Sequence, residues 1–185
     1  MPAGIGEPVT SSTLAAIAVG PFTVACSLLV VAGGRKLVRP AGARAAIVGA
    51  GLPVPRWSAG AVGAIELATG IGGIAFGGRA AVAVALLYLA LAGFAWRLLR
   101  RAPATPCACL GSSTATVSRT HVLIDLGAVI VALAAASGAS PFAALGKHRM
   151  AAVVFVVLVA CCVQLLALTL DALPALTHAV KQEAG

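Results

Sequence analysis

Two cysteines separated by a single alanine, Cys107 and Cys109, lie in the stretch TPCACLGSS between Pro106 and Gly111. A thiol pair at this spacing suits thiol–disulfide exchange: one thiolate attacks a disulfide and the other resolves the mixed disulfide. A disulfide between the two would close a very small ring, and strained, exposed disulfides are the labile and catalytic ones. Arg97, Arg100, Arg101 and Arg119 fall in the same polar stretch, and cations beside a thiol favour the reactive thiolate. Two other uses compete. Thiolates bind metals, but a closed tetrahedral site takes four ligands, and only His121 is near in sequence. The pair can also be structural and inert.

Glu66 is the second candidate. It stands in a 22-residue run between Arg56 and Arg79 that is otherwise uncharged. A charge at the centre of a membrane helix costs about 2.5–3.5 kcal/mol on insertion scales, so Glu66 must face the bundle interior, pair with a cation or carry a proton. Arg35 or Lys36, at the end of the preceding apolar run, are placed to reach it. A proton relay, a ligand for a polar head group and an interhelical polar clamp all fit. His121 and Asp125 are four residues apart, on one face of a helix. With Arg119 they form a polar cluster close in sequence to the cysteines, able to buffer a proton near a thiol. The plainer reading is a helix start, with Asp125 favoured near the positive end of the helix dipole. Cys26, Cys161 and Cys162 fall inside apolar runs, where cysteine packs as a small hydrophobe.

These residues need a frame, and composition supplies one. Of 185 residues 61% are hydrophobic and 10% charged, and the mean hydropathy is +1.05. A soluble domain carries about 25% charged residues, and a small one could not bury this much apolar surface. The expected fold is an all-α polytopic membrane helix bundle. Continuous apolar runs, without alternation, argue against a barrel. Charges divide the chain into five expected spans at about 12–34, 58–77, 80–97, 120–138 and 150–170, in a single integral membrane domain covering 1–185. The first 34 residues hold no Lys or Arg, so the first span reads as permanent rather than as a cleaved leader. The second span repeats small residues at four-residue spacing (Ala59 and Gly63, Gly60 and Ala64, Gly73 and Gly77), a pattern that lets helix backbones approach.

The net charge of +8 needs no nucleic acid, since no basic run or aromatic platform is present. It sets orientation instead. Ten of the 13 basic residues fall on the side shared by the first and third connections and the C-terminus, which the positive-inside rule places in the cytoplasm. The cysteine loop falls on that side.

The chain resembles the MauE family of methylamine utilisation membrane proteins, which are similar to the DoxX-like membrane proteins. The resemblance covers roughly residues 22–137. It rests on GGRKLVRP closing the first helix, AIELATGI with its acidic residue in the second, a third helix ending in arginines, and CACLGSS before the fourth. The family motif is Cys-x-Cys-Phe-Gly; Cys107, Cys109 and Gly111 match it and Leu110 stands in place of Phe. Arg119 is followed by Thr120 where relatives often carry Asn. The resemblance implies a four-helix core plus a fifth transmembrane helix in a bacterial inner membrane. It further implies a role in maturation, processing or disulfide formation of a partner, such as the methylamine dehydrogenase small subunit or a thioredoxin-like protein. Cys107 and Cys109 would be the exchanging thiols, supported by Glu66, Arg119, His121 and Asp125. Through similarity to DsbB and the vitamin K epoxide reductases, which pass electrons to quinone, the resemblance implies quinone as the electron acceptor. Opposed to this enzymatic reading is a non-enzymatic scaffold or transporter subunit with structural cysteines.

Overall fold

The computed structural model describes residues 11–103, 105, 117–136, 153–166 and 168, with side chains from residue 17 onward. It is helical, without a strand among the described residues. The helices are α1 (Ser11–Val38), α2 (Pro40–Gly49), α3 (Ser58–Phe76), α4 (Gly78–Arg101), α5 (Arg119–Ala135) and α6 (Val153–Leu166). Three are long and apolar enough to cross a membrane: Ile17–Val38 within α1, then α3 and α4. The helices α5 and α6 lie within the fourth and fifth expected spans but are shorter as described.

Helices α1, α3, α4 and α5 close a four-membered ring. The helix α1 packs most extensively along α3 and also touches α5, while α4 joins α3 to α5. Burial is inverted relative to a soluble protein. Ile65, Ile71, Leu86, Leu89 and Ile130 point outward, whereas Lys36, Glu66 and His121 are buried. Lipid is the solvent that allows this arrangement, because it rewards apolar surface and forces charges inward.

Glycine brings α1 and α3 together. A methyl group added at Gly33 would lie 2.5 Å from the Gly63 carbonyl oxygen, and one at Gly70 would lie 2.6 Å from the Cys26 carbonyl oxygen. The buried face of α3 is Ala59, Gly63, Glu66, Gly70 and Gly73, the alternating four- and three-residue step of a helix seam. Two of the expected small-residue pairs lie on buried positions. Gly60 and Ala64 do not: Gly60 faces open space and Ala64 is exposed.

The helix ends differ from expectation for local reasons. The helix α1 runs four residues past Gly34, to Val38, because nothing there breaks a helix. The break comes at Arg39, extended at φ −134° and ψ 71°, where the following Pro40 disfavours the helical region. Pro40 then opens α2 at its first helical position. The connection between the first two expected spans thus contains a ten-residue helix, with Ala43 and Ala46 buried against the bundle. Pro21 sits inside α1, and just beyond it the Thr23 hydroxyl donates to the Val19 carbonyl at 2.7 Å. The turn between α3 and α4 is Gly77, at φ 55° and ψ −150°, a conformation open to glycine. It lets α4 start at Gly78 and continue to Arg101, four residues beyond its expected end.

Candidate functional site

On α3, Glu66 occupies the seam between Gly63 and Gly70, and its side chain is 0% exposed. Lys36 lies near the end of α1, three residues after Gly33, on the same face. Side chains on a helix lean toward its N-terminus, so Lys36 reaches back into the bundle. Its ammonium donates to both carboxylate oxygens, at 2.5 Å and 2.6 Å. The tight crossing makes room for the pair. A methyl group at Gly63 would lie 3.0 Å from Lys36 Cβ, and one at Gly33 would lie 3.1 Å from Glu66 Cβ. The sequence offered two partners for Glu66, and the geometry selects Lys36. Arg35, one residue earlier and so about 100° around the helix, is exposed.

Three more polar side chains converge here. Tyr88, on α4, is buried and donates its hydroxyl to the Ala25 carbonyl at 2.7 Å. His121 and Asp125 come from α5. Together with Lys36 and Glu66 these residues line a cavity of about 60 Å³, walled by Leu28, Leu29 and Ile124 among others. That is space for more than one water molecule by the usual measure of about 10–15 Å³ of probe volume each.

A capping box holds His121 at the start of α5. The backbone N–H of Ser118 donates to His121 Nδ1 at 3.3 Å, and Ser118 Oγ lies 2.9 Å from the same nitrogen. With Nδ1 accepting, the neutral ring carries its proton on Nε2. Arg119 is exposed at the first position of α5 and does not line the cavity. The structure therefore brings together Glu66, His121 and Asp125 and leaves Arg119 apart from them.

Cys107, Cys109 and Gly111 lie outside the described residues. The flanks of their segment are described. Thr105 N–H donates to the Ala102 carbonyl at 2.9 Å, and Val117 N–H donates to the Thr105 carbonyl at 3.4 Å. Val117 is buried in a cluster with Ala43, Ala46, Ala59 and Leu98. This stem stands where α1 and α4 end and α3 and α5 begin. Of the arginines expected beside the thiols, Arg97, Arg100 and Arg101 belong to α4 and Arg119 to α5. Arg97 donates from Nε to the Ala50 carbonyl at 2.9 Å, on the negative end of α2. Arg100 stacks over Trp96 with 4.8 Å to the ring centroid. The remaining cysteines are free thiols: Cys26 is buried against the Gly73 backbone, and Cys161 and Cys162 are exposed on α6.

Among the described residues, no group of three or more His, Cys, Asp or Glu side chains is placed to hold a metal ion. A larger cavity of about 590 Å³ lies between α1, α5 and α6. A quinone ring needs donors for its two carbonyl oxygens, and the lining side chains are apolar apart from the weak thiol of Cys162. This described lining does not fit a quinone ring.

Sequence reasoning missed Tyr88, α2 and the part played by Gly33. A signal for the seam existed: the steps from 59 to 63, 66, 70 and 73 place Glu66 on the glycine face of α3. Tyr88 gave none, since one tyrosine in an apolar helix reads as an interfacial anchor or as packing.

A family model described as methylamine utilisation protein MauE matches residues 13–139. No curated protein and no solved structure matches the chain.

Proposed function

Starting from the fact that the chain belongs to the MauE family of methylamine utilisation proteins and is a multi-pass membrane protein, we propose that it exchanges thiols and disulfides with a partner protein at Cys107 and Cys109. In the oxidising direction a partner thiolate attacks the Cys107–Cys109 disulfide and forms a mixed disulfide. The second partner thiolate then displaces the remaining cysteine thiolate. The partner leaves with a disulfide, and the loop keeps the two electrons as a dithiol. The reverse sequence reduces the partner. A subunit rich in disulfides, such as that of an amine dehydrogenase, or a thioredoxin-like protein is the class of partner that suits this exchange.

The observation that carries the reading is the stem. Thr105 and Val117, which flank residues 106–116 in sequence, are joined by a backbone hydrogen bond, and Val117 is buried against α2. A reactive pair needs an accessible loop on a rigid support. The proposed setting is one membrane domain of five spans in a bacterial inner membrane. The described arginines at the stem end, eight from Arg35 to Arg119, are all exposed, against Arg79 alone at the other; this favours a cytoplasmic stem.

The test is trapping. With both loop cysteines present, acid quenching and alkylation should recover an oxidised form, and a Cys109→Ser variant should accumulate a mixed disulfide with its partner. Unchanged partner maturation in a C107S/C109S protein would sink the mechanism. Labelling with an impermeant maleimide from either side fixes the orientation.

The Lys36–Glu66 clamp favours a second reading, a non-enzymatic scaffold held by its buried ion pair. Under it, the double serine variant keeps full function while Glu66→Gln loses it.

A further inference from the structure

We propose that Asp125 is a proton-exchange site served by His121 from the stem end of the bundle, and that the adjoining Lys36–Glu66 pair is a fixed charge that takes no part in the exchange. The inference does not depend on the thiol reading, because neither Cys107 nor Cys109 enters it.

The geometry separates two carboxyl groups that the sequence presents as similar. Glu66 has both oxygens on the Lys36 ammonium, at 2.5 Å and 2.6 Å, and is 0% exposed. Its charge is balanced and its position is clamped by glycine backbones on either side. Asp125 lines the same cavity and is near enough to interact electrostatically with Lys36, Glu66 and Tyr88. It is only partly buried and faces open volume.

Charge counting then assigns the proton. The groups facing Asp125 are Lys36 on α1, Glu66 on α3, Tyr88 on α4 and His121 on its own helix; Cys26 of α1 packs away, against Gly73. Lys36 and Glu66 cancel. Tyr88 is oriented by its bond to the Ala25 carbonyl. A second carboxylate in this low-dielectric space is costly unless it is neutralised. It is neutral as the acid, or paired when His121 is an imidazolium four residues away on the same face. In both arrangements Asp125 and His121 together hold one exchangeable proton.

The route is built the same way. With Nδ1 accepting from the Ser118 N–H at the mouth of the bundle, Nε2 carries the proton the neutral ring can give up, and a second proton enters at Nδ1 by displacing that N–H. His121 is 7% exposed and Asp125 lies one helical turn deeper. The cavity has room for water to carry the proton between them.

Infrared spectroscopy tests this on the full chain in lipid nanodiscs, with aspartate carbon-13-labelled at the side-chain carboxyl. The chain holds two aspartates, Asp125 and Asp171. The expected result is an isotope-shifted protonated-carboxyl band that comes and goes with pH wherever the protein stays folded. The band should persist in Asp171→Asn, vanish in Asp125→Asn, and titrate with a displaced midpoint in His121→Asn. If Asp125→Asn does not fold, Asp171→Asn, with one labelled carboxyl left, still decides. A band that is absent or independent of pH in that variant overturns the proposal. So does a midpoint that moves when potassium is exchanged for sodium or ammonium, since the occupant is then that cation rather than a proton.

Discussion

The two sides of α1 are built on opposite plans. Against α3, glycine backbones touch, and the Lys36–Glu66 pair is held at hydrogen-bond length by both oxygens. Toward α5 and α6, the same helix faces a cavity of about 60 Å³, where His121 and Asp125 of α5 meet the Lys36–Glu66 pair and Tyr88, and another of about 590 Å³ lined by apolar groups. Close packing and mobile protons exclude each other. Glu66, with the Lys36 ammonium on both oxygens, cannot rearrange its hydrogen bonds without breaking the pair, whereas Asp125 borders the same free volume outside that pair. The polar seam of this bundle therefore contains a structural half and a half with freedom to react.

The strongest challenge to that contrast is to unbalance the clamp. Lys36→Met leaves Glu66 alone in the interior, and removing one partner of a buried pair costs about 3–5 kcal/mol. Unfolding in a mild detergent titration should show that loss, and Lys36→Met combined with Glu66→Leu should recover most of it. If the double variant were as unstable as the single one, the pair would not be a self-contained clamp. Next comes the crossing. Gly33→Ala must displace the Gly63 carbonyl, so about 1–3 kcal/mol should be lost by the same measurement. Tyr88→Phe removes the bond to the Ala25 carbonyl and should lose about 0.5–1.5 kcal/mol. Last, Gly60→Ala meets nothing within 4 Å and should stay within about 0.5 kcal/mol of the parent. Equal losses at Gly33 and Gly60 would erase the difference between the seam of α3 and its outer face.

Much of the frame was legible in the chain of letters. Long uncharged runs bounded by arginine marked helices at lengths that match a bilayer, and Glu66 announced a buried partner because an unpaired charge there is so costly. Lys36 was among the two partners named, but its selection over Arg35 depended on α1 continuing to Val38, and helix ends are the least legible feature of a sequence. The α2 helix was hidden because Pro40 and Arg44 set it in the charged connection between spans, and only the apolar surface that Ala43 and Ala46 meet reveals it. The arginines near Cys107 and Cys109 read as a cationic setting for thiols. In the fold Arg97 is spent on the end of α2 and Arg100 on Trp96.

By itself, then, the order of residues determined that this is a helical membrane protein of the MauE family, where its three long apolar helices lie, and that Glu66 cannot stand alone in lipid. Those conclusions follow from composition and local spacing, which need no knowledge of neighbours. Only the tertiary structure decided that Glu66 is locked to Lys36 while Asp125 borders open space with His121. That distinction depends on the distance between helices, set at 33 and 63 by the absence of a side chain and at 125 by the shape of what lies opposite.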